Sequence, residues 1–126
     1  MVKALAFDHL VLHSTDVERT IAWYQRHVGL DGVRLDEWRA GAVPFPSLRV
    51  DDNTIVDILA RPPGGTGHLD HICFVVSEDD LAAVKAAGEL VIEDEGRRFG
   101  ARGIANSIYV RDPDGLTVEL RAYPAR

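Results

Sequence analysis

Apolar and polar positions along the chain fall into two rhythms, and both recur in the same order in each half. Residues 5–13 alternate and are rich in β-formers, which predicts a strand. Val17, Ile21, Trp23-Tyr24 and Val28 then recur at helical spacing, with Thr15 or Asp16 placed to cap the start and Gly29 the end. Trp23 and Tyr24 follow that period and are expected in the core. Strands are predicted near residues 32–39, 47–50 and 54–60, separated by Pro44, Pro46 and the turn Asp51-Asp52-Asn53. Arg61-Pro62-Pro63-Gly64-Gly65-Thr66-Gly67 reads as a linker.

The programme then repeats. It predicts a strand at 69–77, a helix at 78–87 closed by Gly88, a strand at 90–94 and a Gly- and Arg-rich loop at 96–103. Strands at 106–111 and 116–122 flank a hairpin turn, Asp112-Pro113-Asp114-Gly115, whose acidic residues serve the turn. The expected fold is a single α+β domain of two βαβββ modules, about residues 4–61 and 68–123, joined by linker 62–67. Together the modules should form a curved, cleft-bearing mixed sheet.

The halves also echo in chemistry. Asp8-His9 returns as Asp70-His71, and Val56-Asp57-Ile58-Leu59 is answered by Val118-Glu119-Leu120-Arg121. His71 follows His9, and Glu119 follows Asp57, by the same 62 positions. Strand alternation puts Phe7, His9, Val11 and His13 on one face and Leu10 and Leu12 on the other. It likewise separates His71 and Cys73 from Ile72 and Phe74, and Asp57 and Glu119 from their apolar neighbours. One face must pack under a helix, so all four ligand-type residues can share the opposite one. That arrangement points to a metal site built jointly by two duplicated modules.

Composition narrows the classes. At 126 residues, 46% hydrophobic and 27% charged, the chain is one ordinary globular domain. No apolar run is long enough for a membrane span, and the N-terminus lacks a signal-peptide layout. A net charge of −6 argues against nucleic acid as partner. The lone Cys73 forms no internal disulfide, which fits a cytoplasmic protein; its expected role is a packed thiol.

Across essentially its whole length the chain resembles the vicinal oxygen chelate superfamily of glyoxalase I, fosfomycin-resistance thiol transferases, extradiol dioxygenases and bleomycin-binding proteins. The residues that carry the resemblance are Phe7-Asp8-His9-Leu10-Val11-Leu12, the Trp23-Tyr24 helix, Leu69-Asp70-His71-Ile72, and the stretch from Ser107 through Asp112-Pro113-Asp114-Gly115 to Leu120. It implies that His9, His71 and Glu119 ligate a divalent metal, with Asp57 where glyoxalase I has a fourth, glutamate ligand. Asp is one methylene shorter, so Asp57 is open between a ligand, a base and a structural acceptor. Two imidazoles and one carboxylate suit Fe, Mn, Co, Ni or Zn and leave positions for a substrate with two neighbouring oxygens.

Tyr109 stands where the fosfomycin branch contacts anionic substrate; its alternatives are a cleft donor or a core tyrosine. Catalytic roles are expected for Glu119, Asp57 and Tyr109. Arg97, Arg98 and Arg102 are either an anion-gathering loop or a solvated charged hairpin, and His13 either lines the cleft mouth or meets solvent. His27 and His68 receive no chemistry. The resulting expectation is a metalloenzyme of the lyase, isomerase or dioxygenase kind acting on a small-molecule substrate. The other reading is a protein that sequesters an antibiotic or metabolite. The resemblance also implies a homodimer, with the site formed within one chain or between two.

Overall fold

Two helices occupy the spans that the sequence predicts for them. In a computed structural model, which describes residues 2–111 and 115–125, β1 (Ala6–Ser14) leads into α1 (Val17–Val28). The Asp16 carboxylate accepts the Arg19 amide at 3.1 Å, and Gly29 closes the helix at φ +74°, a conformation that costs glycine nothing. In the second half, β5 (Leu69–Val75) precedes α3 (Glu78–Ala87), which Ser77 caps through the Asp80 amide at 3.0 Å. Between α1 and β5 lie β2 (Asp31–Val33), α2 (Leu35–Arg39), β3 (Ser47–Asp51) and β4 (Thr54–Ala60). After α3 come β6 (Asp94–Gly100), β7 (Gly103–Arg111) and β8 (Thr117–Ala122). The predicted turn at Asp112-Pro113-Asp114 lies outside the described residues. No helix among the described residues is long and apolar enough to cross a membrane.

All eight strands join one mixed sheet in the order β2-β3-β4-β1-β5-β8-β7-β6, curled into a half-barrel. Within each half the innermost pairing is parallel, β1 with β4 and β5 with β8. The halves meet at the antiparallel β1–β5 pair, so the sheet is continuous across the repeat. Each helix covers the outer face of its own half. Val17 and Ile21 pack on Leu48 and Ile58, while Leu81 and Val84 pack on Ile108, Val110 and Ala122. Burying each such side chain contributes about 1.5–3 kcal/mol. The concave face carries His9, Asp57, His71 and Glu119 among apolar neighbours such as Val11 and Leu59.

Three sequence expectations are corrected. Residues 32–39 were expected to extend as a strand, but the strand stops at Val33 and Leu35–Arg39 form a short helix. Leu35 and Trp38, three apart, reach the first core together, and no β-branched residue opposes the turn. Residues 90–94 do not form a strand of their own; the strand begins at Asp94 and runs through the expected loop. Its charged sequence hides any alternation, and β6 is an edge strand, where charge is tolerated and discourages further pairing. Trp23 is exposed, against the expectation of a core role, with its ring on Tyr24 and His27. Successive helical residues point about 100° apart, so Tyr24 turns inward with Ile21 while Trp23 turns out.

Candidate metal centre

Four adjacent strands, β4, β1, β5 and β8, carry Asp57, His9, His71 and Glu119 into the concave face. Val11 pairs across to both Asp57 and His71, and Cys73 to both His9 and Glu119. The polar groups therefore occupy neighbouring positions of one lattice. His9 Nε2 lies 3.3 Å from His71 Nε2, and Glu119 Oε1 lies 3.1 Å from each. One chain supplies all three donors.

The bulges of the central strand pair explain how the imidazoles are held. Phe7 pairs with Phe74 and His9 with Cys73, so Asp8 is an extra residue in β1. Val11 pairs with His71 and Leu12 with Leu69, so Asp70 is likewise extra in β5. A bulge lets two successive side chains share a side of the sheet. Each Asp therefore reaches the histidine that follows it. His9 Nδ1 donates to Asp8 Oδ2 at 2.7 Å, and His71 Nδ1 donates to Asp70 Oδ2 at 2.6 Å. The first bulge also corrects the expected face of Phe7, which stacks edge-on against Phe74 on the side away from His9.

Supporting contacts are equally specific. Asp8 also accepts the Ala101 amide at 3.0 Å and the Tyr123 hydroxyl at 2.6 Å. Glu119 Oε2 accepts Ser107 Oγ at 2.7 Å and Arg121 Nη1 at 2.9 Å. Arg121 is fully buried and donates further to the Arg98 and Gly103 carbonyls at 2.8 and 2.9 Å. Glu119 is thus both inward-facing and paired with Arg121.

Asp57 is buried, accepts Ser47 Oγ at 2.5 Å, and brings Oδ2 to 3.7 Å from His9 Nε2. It does not join the His9, His71 and Glu119 group. Its short side chain and its tie to Ser47 hold it outside ligand range.

Burial works to lower the pKa of His9, but hydrogen bonds to Asp8, Cys73 and Glu119 overcome it and push it up to about 12. His71 is raised for the same kind of reason, against its burial, by Asp70 and Glu119. Glu119 is driven far below the carboxylate range by the two imidazoles, although burial opposes this. Burial raises Asp57. Burial and the nearby Glu119 charge raise Tyr109 above the phenol range, so it keeps its proton.

The donor set fits a divalent cation. Metal–ligand bonds of about 2.1 Å place the ligands of one ion roughly 3.0–3.4 Å apart. The separations here, 3.1 to 3.3 Å, match that spacing. Both Nδ1 atoms are tied down by carboxylates, so each Nε2 faces the common point and would offer its lone pair to a cation that displaces its proton. Asp8, His9 and Cys73 also cluster, but burial pushes the Cys73 thiol up to about 12, which disfavours the thiolate a metal needs.

A cavity of about 290 Å³ opens over the donors, walled by Val11, Leu59, Phe45, Phe99 and Tyr109, with Arg97 and Arg98 also lining it. The Tyr109 ring stands edge-on to His71, 5.6 Å between centroids. A larger hollow of about 400 Å³ lies between α3 and the β6–β7 hairpin, away from these donors.

A family model described as Glyoxalase/Bleomycin resistance protein/Dioxygenase superfamily matches residues 6–120. The chain belongs to this superfamily. Virulence protein STM3117 of Salmonella typhimurium is 31% identical over 123 residues, 92% of this chain and 83% of that protein. Glyoxalase domain-containing protein RDO1 of Mycosarcoma maydis is 32% identical over 126 residues, 94% of this chain and 68% of that one. The Mn(II)-bound glyoxalase of Novosphingobium aromaticivorans shares the fold, with a TM-score of 0.69 at 15% identity over 97% of this chain and 40% of that one. Members of the superfamily use divalent metals, and this chain carries a group of side chains that could hold one.

Several residues of this candidate site were not singled out from sequence. Asp8 and Asp70 were visible in the doubled Asp-His, and their recurrence was the available signal. Ser47, Tyr123 and Arg34 carried none, and Ser107 only opened the stretch that carries the resemblance. His13, expected at the cleft mouth or in solvent, is instead half-buried and bonded to Asp70 Oδ1 at 2.6 Å. Arg97 and Arg98 reach the cavity from a strand, whereas Arg102 stacks on Tyr123 outside it. His68 meets the His13 carbonyl, and His27 lies on Trp23.

Proposed function

We propose that this superfamily member is a metal-dependent enzyme that binds a divalent cation through His9, His71 and Glu119 and acts on a small substrate chelating through two neighbouring oxygens. The observation that carries the reading is the approach of two Nε2 atoms and one carboxylate oxygen to within 3.3 Å inside a cavity. A bound cation would supply Lewis acidity toward negative charge developing on those oxygens.

The chain's own residues account for the remainder. Asp57 has one oxygen committed to Ser47 and the other beside the donor group, and its burial makes the carboxylate a stronger base than an exposed one. It takes a proton from the carbon next to the chelated oxygens and returns it. Tyr109, which keeps its hydroxyl proton, donates a hydrogen bond to a substrate oxygen. Val11, Leu59 and Phe99 keep water from the reacting carbon. Arg121 and Ser107 fix the outer oxygen of Glu119, so Oε1 keeps one orientation.

The donor set admits Fe(II), Mn(II), Co(II), Ni(II) and Zn(II), and the Mn(II) of the structural neighbour makes Mn(II) the first ion to try. Purified protein dialysed against Mn(II) should retain about one ion per chain by elemental analysis, and His71→Ala should retain none while keeping its circular dichroism. Stoichiometric uptake by that variant would overturn the assignment. Small-molecule binding that survives chelator treatment unchanged would favour a sequestering protein over an enzyme. A homodimer is proposed on the resemblance alone and is read by sedimentation; the donors need no second chain.

A further inference from the structure

Arg34 stands apart from the other cations of the cavity. It is the one non-glycine residue with positive φ among the described residues, at +60°. Its guanidinium carbon sits 3.7 Å from the centroid of the Phe99 ring and 4.9 Å from that of Phe45. One Nη2 proton goes to the Phe45 carbonyl at 3.3 Å. Nε is closed off from solvent and meets no acceptor among the described residues. The other cations on the wall are already engaged: Arg98 with Asp94 at 3.2 Å and Arg97 with Asn106 at 3.3 Å.

A long cationic side chain in the left-handed region is uncommon, and such outliers gather at ligand sites. Here the backbone twist occurs where β2 stops and α2 starts, and the side chain from that corner lines the same cavity as His9, His71 and Glu119. The two rings fix the guanidinium plane, which removes most of the rotamer freedom that binding would otherwise cost. The group whose shape answers the fixed plane is a planar carboxylate, which takes N–H donors from the guanidinium edge that lines the cavity.

Resting on the metal-centre reading above, we propose that Arg34 anchors a carboxylate of the substrate, distal to the oxygens that chelate the cation. The substrate class is therefore a small acid with two neighbouring oxygens at one end and a carboxylate at the other. Phe45 and Phe99 hold the guanidinium, and Arg97 and Arg98 add positive potential at the wall.

The test uses matched probes, 2-oxoglutarate against 2-oxopentanoate and 2-oxoadipate against 2-oxohexanoate. Each pair shares the oxo-acid end and differs in a carboxylate or methyl tail. On Mn(II)-loaded protein, calorimetry should give at least tenfold tighter binding for the dicarboxylate of at least one pair. Arg34→Asn, which suits a left-handed backbone, should erase that preference while leaving Mn(II) stoichiometry and the affinity for the methyl-tailed probe unchanged. Arg34→Lys keeps the charge without the fork and should recover only part of it. In ¹⁵N-labelled protein the Arg34 Nε–H resonance should move with the dicarboxylate and stay with its partner. Equal affinities in both pairs, or a preference that survives Arg34→Asn, overturn the proposal. Absence of Mn(II) uptake by the wild type defeats the metal-centre reading instead. The resonance titration on metal-free protein with glutarate against pentanoate then still decides for or against Arg34.

Discussion

Asp8 and His9 are consecutive residues of a β-strand whose side chains hydrogen-bond each other at 2.7 Å. In a regular strand they would point to opposite faces; the bulge at Asp8 turns them to the same one. Asp70 and His71 repeat the device at 2.6 Å. The doubled Asp-His is therefore two donor–orienter pairs.

If each aspartate orients its histidine toward a cation, removing its charge weakens metal binding without removing a ligand. Asp8→Asn and Asp70→Asn should each lower Mn(II) affinity by about 10–100-fold. Competition with a fluorescent chelator reads this. Affinity within twofold of wild type for both variants would contradict the orienting role.

Gly100 presses directly on the fully buried Arg121. A Cβ at position 100 would stand 2.4 Å from the Arg121 guanidinium carbon, and that side chain is fixed by Glu119 and two carbonyls. Gly100→Ala should cost about 1–3 kcal/mol in chemical denaturation. Metal affinity should fall with it, because Arg121 also holds Glu119. An unchanged midpoint would show that Arg121 can retreat.

The carboxyl of Asp70 is held down to about 2, from an ordinary 3.8, mainly by its hydrogen bond from His71 and against its partial burial. The folded value is the lower one, so this stabilisation is complete above about pH 4 and is lost as pH falls through 2. It amounts to at most about 2 kcal/mol. Metal-free wild type should lose that much more stability than Asp70→Asn between pH 5 and about 2, by urea titration at each pH. Parallel pH curves for the two proteins would refute it.

Burial, despite the His9 hydrogen bond, pushes the Cys73 thiol up to about 12. Iodoacetamide at about pH 8 should leave the native protein unlabelled and label it fully in denaturant, as mass spectrometry would record. Rapid labelling of the native protein would place Cys73 in contact with solvent.

Much of this molecule was legible in the chain. Helices α1 and α3 were legible, with Asp16 and Gly29 at the ends of the first and Gly88 closing the second, which are local properties of a few consecutive residues. The match between Asp-His pairs and between Asp57 and Glu119 pointed to a shared centre because duplicated modules place equivalent residues equivalently. Strand parity assigned His9, Asp57, His71 and Glu119 to one face. It failed at Phe7 and was silent on Asp8 and Asp70, since a bulge is a property of two paired strands and leaves no period in either.

The order of residues alone determined that the chain is α+β, twofold in plan, and equipped with two imidazoles and two carboxylates on a common face. Tertiary structure decided the rest. It distinguished Glu119 from Asp57, because Ser107 and Arg121 hold one carboxylate among the histidines while Ser47 and a shorter side chain keep the other back. It also brought Arg34 from a corner of the first half onto Phe99 of the second. Distances of a few tenths of an ångström between residues dozens of positions apart depend on how the sheet curls, and no local pattern encodes that curvature.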